Sequence, residues 1–410
     1  MAIISSLYTG VSGLSANGIA MSIIGDNIAN VNTVGFKASR ASFGDILSQN
    51  LTGASGTFQI GRGAMLTGVS PVFTQGSFQT TDSGLDMAID GDGFFIVKDG
   101  NGASFYTRAG QFSVDRDGYL VNPEGYRIQG YGASLSGTIT GAVGDISLSS
   151  SFIAPVASTQ ATITANLDAA ESIPAGAFDP NDSTTYNFGT GITLYDSLGN
   201  GHTENVYFVK TAAGWDVYAP GSTSGMAAIG SLTFDAGGNL TAGGSMDAEF
   251  DYTASGAGVI GGPGSGFFDF SSATQYASAS TVLSQSQNGY ASGSLRSVSA
   301  DQNGLLTGLF SNGMTRPIGQ IALANFQNPA GLTKYGRNLY AANLDSGQAT
   351  VGAPGSGGYG RVLSNSLELS NVDLAREFVD MITVQRGFQA NSRVVTTSDE
   401  MLADLINLKR

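Results

Sequence analysis

At 410 residues the chain is long enough for two or more compact domains. Only 12% of its residues are charged, about half the usual share, and a net charge of −14 with 18 basic residues leaves no basic footprint for nucleic acid and disfavours anionic membrane surfaces. With no cysteine, structural disulfides, thiolate nucleophiles and Cys-type metal sites are excluded.

The first segment reads as a helix ending near Asn30. Leu7, Leu14, Met21 and Ile28 recur every seven residues, with Val11, Gly18 and Gly25 at the other seam position. Residues 1–25 carry no charge, yet serines, Asn17 and four glycines interrupt them, so neither a membrane span nor a signal peptide is expected: the first basic residue is Lys37. A helix this rich in glycine is weak, and neighbouring copies of the chain are expected to cover it.

A long β-type region follows. Alternation shows in 86–99, 204–210 and 317–326. Asp-x-x-Gly-x-Leu occurs at Asp115–Leu120, Asp235–Leu240 and Asp301–Leu306, which predicts three hairpins of one type: Gly supplies a positive φ and Leu starts the returning strand on its core face. Gly/Ser-rich stretches at 132–151 and 271–289 frame residues 146–284 as an inserted domain, and 352–360 leads flexibly into the last segment.

That last segment reads as a second helix, with Ser370 or Asn371 as N-cap and Asp373 in its first turn. Leu374, Met381, Phe388, Val395 and Leu402 form one heptad row; Phe378, Gln385, Ser392, Asp399 and Ile406 form the other. Two heptad segments at opposite ends of a β-rich chain are expected to pair, mainly across neighbouring copies of the chain, with Gln385, Ser392 and Asp399 setting register. The fold class is therefore multidomain and mainly β, with coiled-coil-like helical N- and C-terminal segments and two β domains, the outer inserted into the inner.

No motif carries catalysis, and no enzyme, cofactor or metal is expected. The GxGxxG match at 355–360 lacks the preceding strand and following helix of a dinucleotide site. The DGDG at 90–93 fails the calcium-loop spacing and reads as a turn. The single histidine, His202, has no second ligand and reads as a turn residue, and the lone Trp215 reads as strand packing.

The opening together with 26–37 (DNIANVNTVGFK), and 367–402 (LELSNVDLAREF… to EML), resembles the two terminal signatures of bacterial flagellar axial proteins, the rod, hook and hook-associated subunits. Residues 84–97 look like the hook and distal-rod branch, and 194–210 and 308–332 are similar to its hook members. The resemblance implies a structural subunit of the flagellar hook, polymerising into a hollow, flexible, curved tube, a universal joint passing torque from rod to filament. It implies an inner wall made by residues 1–36 and 366–410, a linker at 37–71, a middle β domain from 72–145 with 285–365, and an outer domain at 146–284. Asn27, Ala29, Asn30, Gly35 and Phe36 belong to its N-terminal motif. Phe43 and Leu47 resemble a Phe-x-x-x-apolar signal read by the export gate. Implied partners are copies of itself, the distal rod, hook cap and hook–filament junction proteins, and the type III export apparatus; the implied location is extracellular, reached without a cleaved signal peptide.

Overall fold

The computed structural model describes residues 2–407 apart from 47–48, 54–55, 135–136, 149–151 and 221–224. It is mainly β, with a helix at each end: α1 (Ala2–Ala29) and α2 (Leu374–Asn407). The chain divides into two compact units. The first holds Met1–Ser150, Ser297–Gly308 and Thr315–Arg410; the second holds Ser151–Arg296 and Leu309–Met314. The second starts and ends later than the expected 146–284, because Phe152–Ile153 pairs antiparallel with Gly293 and Ser294 and holds both within it.

In the first unit the antiparallel order is Thr315–Ile321, Arg127–Ala133, Phe94–Lys98, Ser104–Thr107, Leu339–Ala341, Thr333–Gly336. Strands from both sides of the second unit's sequence thus interleave. Phe94, Ile96, Tyr106, Ala322, Ala324, Phe326, Leu332 and Tyr340 form one core. Its rings meet edge to face, Tyr106 on Phe326 at 4.7 Å and Phe73 on Phe94 at 5.2 Å, the arrangement favoured by aromatic quadrupoles.

The expected linker at 37–71 is instead largely strand. Ser39–Asp45 pairs antiparallel with Ala64–Pro71, and Gln49–Gly53 with Gly56–Ile60. Ala41 lies opposite Val69 and Phe43 opposite Leu66. Such cross-strand apolar pairs, with the backbone groups satisfied across the ladder, favour a ribbon over an open linker.

The second unit centres on the five-stranded order Phe188–Tyr195, Gly201–Lys210, Trp215–Pro220, Met226–Phe234, Leu240–Ala242. Trp215 is fully buried in its core, with Phe208, Phe267, Phe268 and Phe270.

The three Asp-x-x-Gly-x-Leu segments share one geometry. The Asp115, Asp235 and Asp301 carboxylates accept the backbone N–H of Tyr119, Asn239 and Leu305 at 2.7–2.8 Å, and Gly118, Gly238 and Gly304 have φ of +82°, +79° and +71°. Leu120 and Leu306 are fully buried. The same turn recurs without the leucine at Asp99, Asn122 and Asp196, so the leucine narrowed the motif while the side-chain oxygen and glycine define it.

At Asp196 the turn includes His202. The histidine lies in strand Gly201–Lys210 rather than in a turn, with Nε2 3.0 Å from Asp196 Oδ2 and its ring stacked on Tyr252. Burial works to raise the Asp196 carboxyl, but hydrogen bonds from His202, the Asn200 side chain and the backbone N–H of Asn200 and Leu198 outweigh it and hold the group well below the usual carboxylate range. A depressed folded value means stability that is complete above the ordinary value of 3.8 and lost as pH falls toward the folded value. Acid titration of the Trp215 fluorescence transition should show this loss, and Asp196→Asn should flatten it. An unchanged acid profile in Asp196→Asn would exclude the carboxylate as its source.

Candidate functional site: the helix pair and its root

α1 and α2 pack antiparallel within one chain. Ser6 and Ser398 share a hydroxyl hydrogen bond at 3.1 Å near one end, and Asn27 donates to Glu377 at 3.1 Å near the other. Glycines allow the close approach. A Cβ on Gly10 would lie 2.9 Å from Val395, one on Gly13 2.6 Å from Asn391, and one on Gly387 3.1 Å from Asn17. Ser5–Ala29 has the length and hydropathy of a membrane span, yet its Ser12, Asn17 and Asn27 side chains bond within the chain.

The expected seam rows lie unevenly across this contact. Leu7, Leu14, Met21 and Ile28 are half-buried, as are Met381, Val395 and Leu402. Val11, Leu374, Phe378, Gln385, Phe388 and Asp399 are exposed, and Ser392 is half-buried. The side chain of Ile406 and all of Leu47 fall outside the described residues. The second α2 row therefore sits one residue earlier than expected. It runs through Glu377, Val384, Asn391 and Ser398, all at least partly buried. Helices brought together on glycine leave room for Asn and Ser but not for the rings of Phe378 and Phe388. The α2 residues that meet α1 within the chain include Ser398, Asn391 and Glu377.

The α2 start differs too. Asp373 is its N-cap, accepting the N–H of Ala375 at 2.9 Å and Arg376 at 3.3 Å. Asn371 instead clasps the entry strand: its Oδ1 accepts from Ala38 N, and its Nδ2 donates to the Val72 and Thr74 carbonyls.

The N-terminal motif forms the root of the pair. Asn27, 2% exposed, accepts from Ser39 N–H at 2.8 Å, donates to Ser39 O at 3.0 Å, and reaches Glu377. Asn30 donates to Asp26 O and accepts from Thr33, closing the turn after α1. Ala29 is exposed. Gly35, at φ +69°, donates its N–H to Glu368 O at 2.7 Å. Phe36 is buried with the Lys334 ammonium 5.0 Å from its ring centre. Phe43 lies in a strand and is 41% exposed.

Beneath this root is a buried ionic knot. Lys37 and Glu368 are both fully buried, with Nζ to Oε1 at 2.6 Å; Lys37 also donates to Thr74 O, and Gly76 N–H donates to Glu368. Arg108 stands 3.5 Å from the other Glu368 oxygen, donates to Gly91 O and lies over Phe94. Burial pushes the Lys37 ammonium down, opposed by the Glu368 charge. The Arg108 guanidinium is likewise lowered, by burial first. Strand Ser366–Glu368 pairs with Phe78–Thr80, which brings the carboxylate here. Sequence reasoning missed the knot. Its signal was a lone charge inside each apolar terminal motif, Lys37 in VGFK and Glu368 in LEL. Among the described residues no three His, Asp or Glu side chains cluster to hold a metal ion.

Comparison with known proteins covers both ends and the middle. Residues 7–37 match the flagella basal body rod protein family, and residues 363–408 the flagellar basal body rod FlgEFG protein C-terminal family. Residues 88–167 match the flagellar hook protein FlgE/F/G D1 domain, and residues 166–290 the flagellar basal body protein FlaE D2 domain. The flagellar hook protein FlgE of Salmonella typhimurium is 37% identical over 417 residues, spanning 98% of this chain and 100% of that protein. That of Borreliella burgdorferi is 37% identical over 450 residues, spanning 98% and 99%. The crystal structure of Helicobacter pylori flagellar hook protein FlgE2 overlays 69% of this chain and 98% of that one, with a TM-score of 0.48 at 16% identity. On these near full-length matches, the chain belongs to the flagellar hook protein FlgE family.

Proposed function

We infer that the chain is a structural subunit of the bacterial flagellar hook that polymerises with its own copies into a hollow, flexible, curved tube carrying torque from rod to filament. The observation that carries self-assembly is the apolar surface the intrachain helix pair leaves open. Tyr8 and Val11 on α1 and Leu374, Phe378, Val379, Ile382 and Phe388 on α2 are all exposed. Gly18 and Gly25 meet nothing within 4 Å, so their smallness serves no contact inside the chain. A soluble chain rarely leaves such faces bare unless a partner covers them. Family membership makes that partner a second copy. Electron microscopy of the purified protein should show curved tubes; a persistent monomer under assembling conditions would overturn the reading.

In this reading the terminal helices form the inner wall. Residues 1–36 contain one charged side chain and residues 372–410 eleven, so α2 faces the wet channel and α1 packs behind it. The β units form the outer layers, whose neutral Gly/Ser/Thr-rich faces slide without breaking strong ion pairs. Rod, cap, junction and export components are the partners at its ends. Phe43, solvent-accessible on its ribbon, is proposed as the export-gate residue. Phe43→Ala should leave purified protein able to polymerise and stop its secretion, and normal secretion of that variant would remove the proposal.

A further inference from the structure

We propose that a ladder of polar and glycine rungs, rather than the apolar heptad rows, specifies the register of the intrachain helix pair. Four rungs cross between α1 and α2: Ser6 with Ser398, Gly13 with Asn391, Asn17 with Gly387, and Asn27 with Glu377. They share one alignment. From Ser6 to Gly13 the ladder climbs as many residues on α1 as it descends from Ser398 to Asn391 on α2, and the steps to Asn17 and Asn27 are matched by those to Gly387 and Glu377.

The apolar rows lack this power. Leu7, Leu14, Met21 and Ile28 repeat every seven residues, so sliding the helices by one heptad sets one large aliphatic side chain where another stood. The ladder has no such translational repeat. Each helix offers one asparagine to a glycine of the other, and the fit is tight: a Cβ would stand 2.6 Å from the Asn391 amide at Gly13 and 3.1 Å from the Asn17 amide at Gly387. Sliding α2 by one heptad in one direction sets Val384 against Asn27, whose amide keeps Ser39 but loses its carboxylate partner. In the other direction it sets Glu377 against Ala20 and leaves the carboxylate without its donor. Losing the partner of a polar group in a partly buried contact opposes the slip, and a single polar residue in an apolar seam is an established way to fix register. Asn27 bolts the ladder to the β body through both backbone groups of Ser39.

Because the chain has no cysteine, engineered pairs report register cleanly. In the full-length protein at dilutions that keep it monomeric, Ser6→Cys with Ser398→Cys should close an intrachain disulfide on mild oxidation. Ser6→Cys with Asn391→Cys, which reports a one-heptad slip and lacks two rungs, Ser6–Ser398 and Gly13–Asn391, should close at least about tenfold more slowly. Adding Asn17→Ala and Gly387→Ala to both pairs removes a further rung while sparing the Asn27 bolt, and should narrow that difference by about tenfold. Equal closure of the two pairs with the other rungs intact, or a ratio unmoved by removing the Asn17–Gly387 rung, would overturn the proposal.

Discussion

Lys37→Met will lower the unfolding free energy of the first unit by about 3–5 kcal/mol, the cost of leaving a buried charge without its partner. The methionine keeps the aliphatic stem and removes only the ammonium. Glu368 then keeps Gly76 N–H and Arg108 at 3.5 Å, but loses its shortest contact at 2.6 Å in a site closed to water. At about 2–4 °C per kcal/mol for a unit of this size, the melting temperature should fall by roughly 10 °C. The measurement can separate the units, because the only tryptophan, Trp215, lies in the second. Far-UV circular dichroism should show a component shifted to lower temperature while the fluorescence transition stays in place. Replacing both partners, Lys37→Met with Glu368→Leu, should recover much of the loss, since a buried ion pair and an apolar pair of similar volume are often close in energy. A single Lys37→Met variant with an unshifted dichroism profile would show that the knot holds nothing together.

Gly35→Ala and Gly25→Ala should move stability in opposite directions although the chemical change is the same. At Gly35 the backbone sits at φ +69°, and a Cβ would stand 2.5 Å from Ala109 N and 2.7 Å from the Arg108 carbonyl carbon. Left-handed backbone costs an L-residue about 1–2 kcal/mol, and forcing a methyl against backbone adds about 1–3 kcal/mol. The Gly35 N–H also reaches Glu368 O, so the displacement strains the root of both helices. A loss of about 3 kcal/mol is expected, read from urea unfolding followed by circular dichroism. At Gly25 a Cβ meets nothing within 4 Å in an exposed helical turn, and alanine should gain about 1 kcal/mol from helix propensity. Two changes of the same sign would refute the account of Gly35.

Several elements were legible because their causes are local. The strands at Met87–Asp90 and Phe94–Lys98 and the buried packing of Trp215 follow from alternation and apolar runs. The Asp115, Asp235 and Asp301 turns follow from a side-chain oxygen and a glycine three residues apart in a tight loop. The 37–71 segment was less legible, because its strands exist by pairing Ser39–Asp45 with Ala64–Pro71 across an intervening stretch.

By itself the sequence determined that both ends are helices with heptad order, that the region between them is β, and that the terminal motifs are those of flagellar axial proteins. Each rests on periodicity or on residues adjacent in the chain. Only the tertiary structure decided which row of each helix faces the other. A heptad repeat is the same viewed from either neighbouring row, and the choice fell to Gly10, Gly13 and Gly387, whose missing side chains permit close approach. Only the tertiary structure, too, brought Lys37 and Glu368 together at 2.6 Å. Charges this far apart in the chain carry no pairing signal until the strands between them have folded.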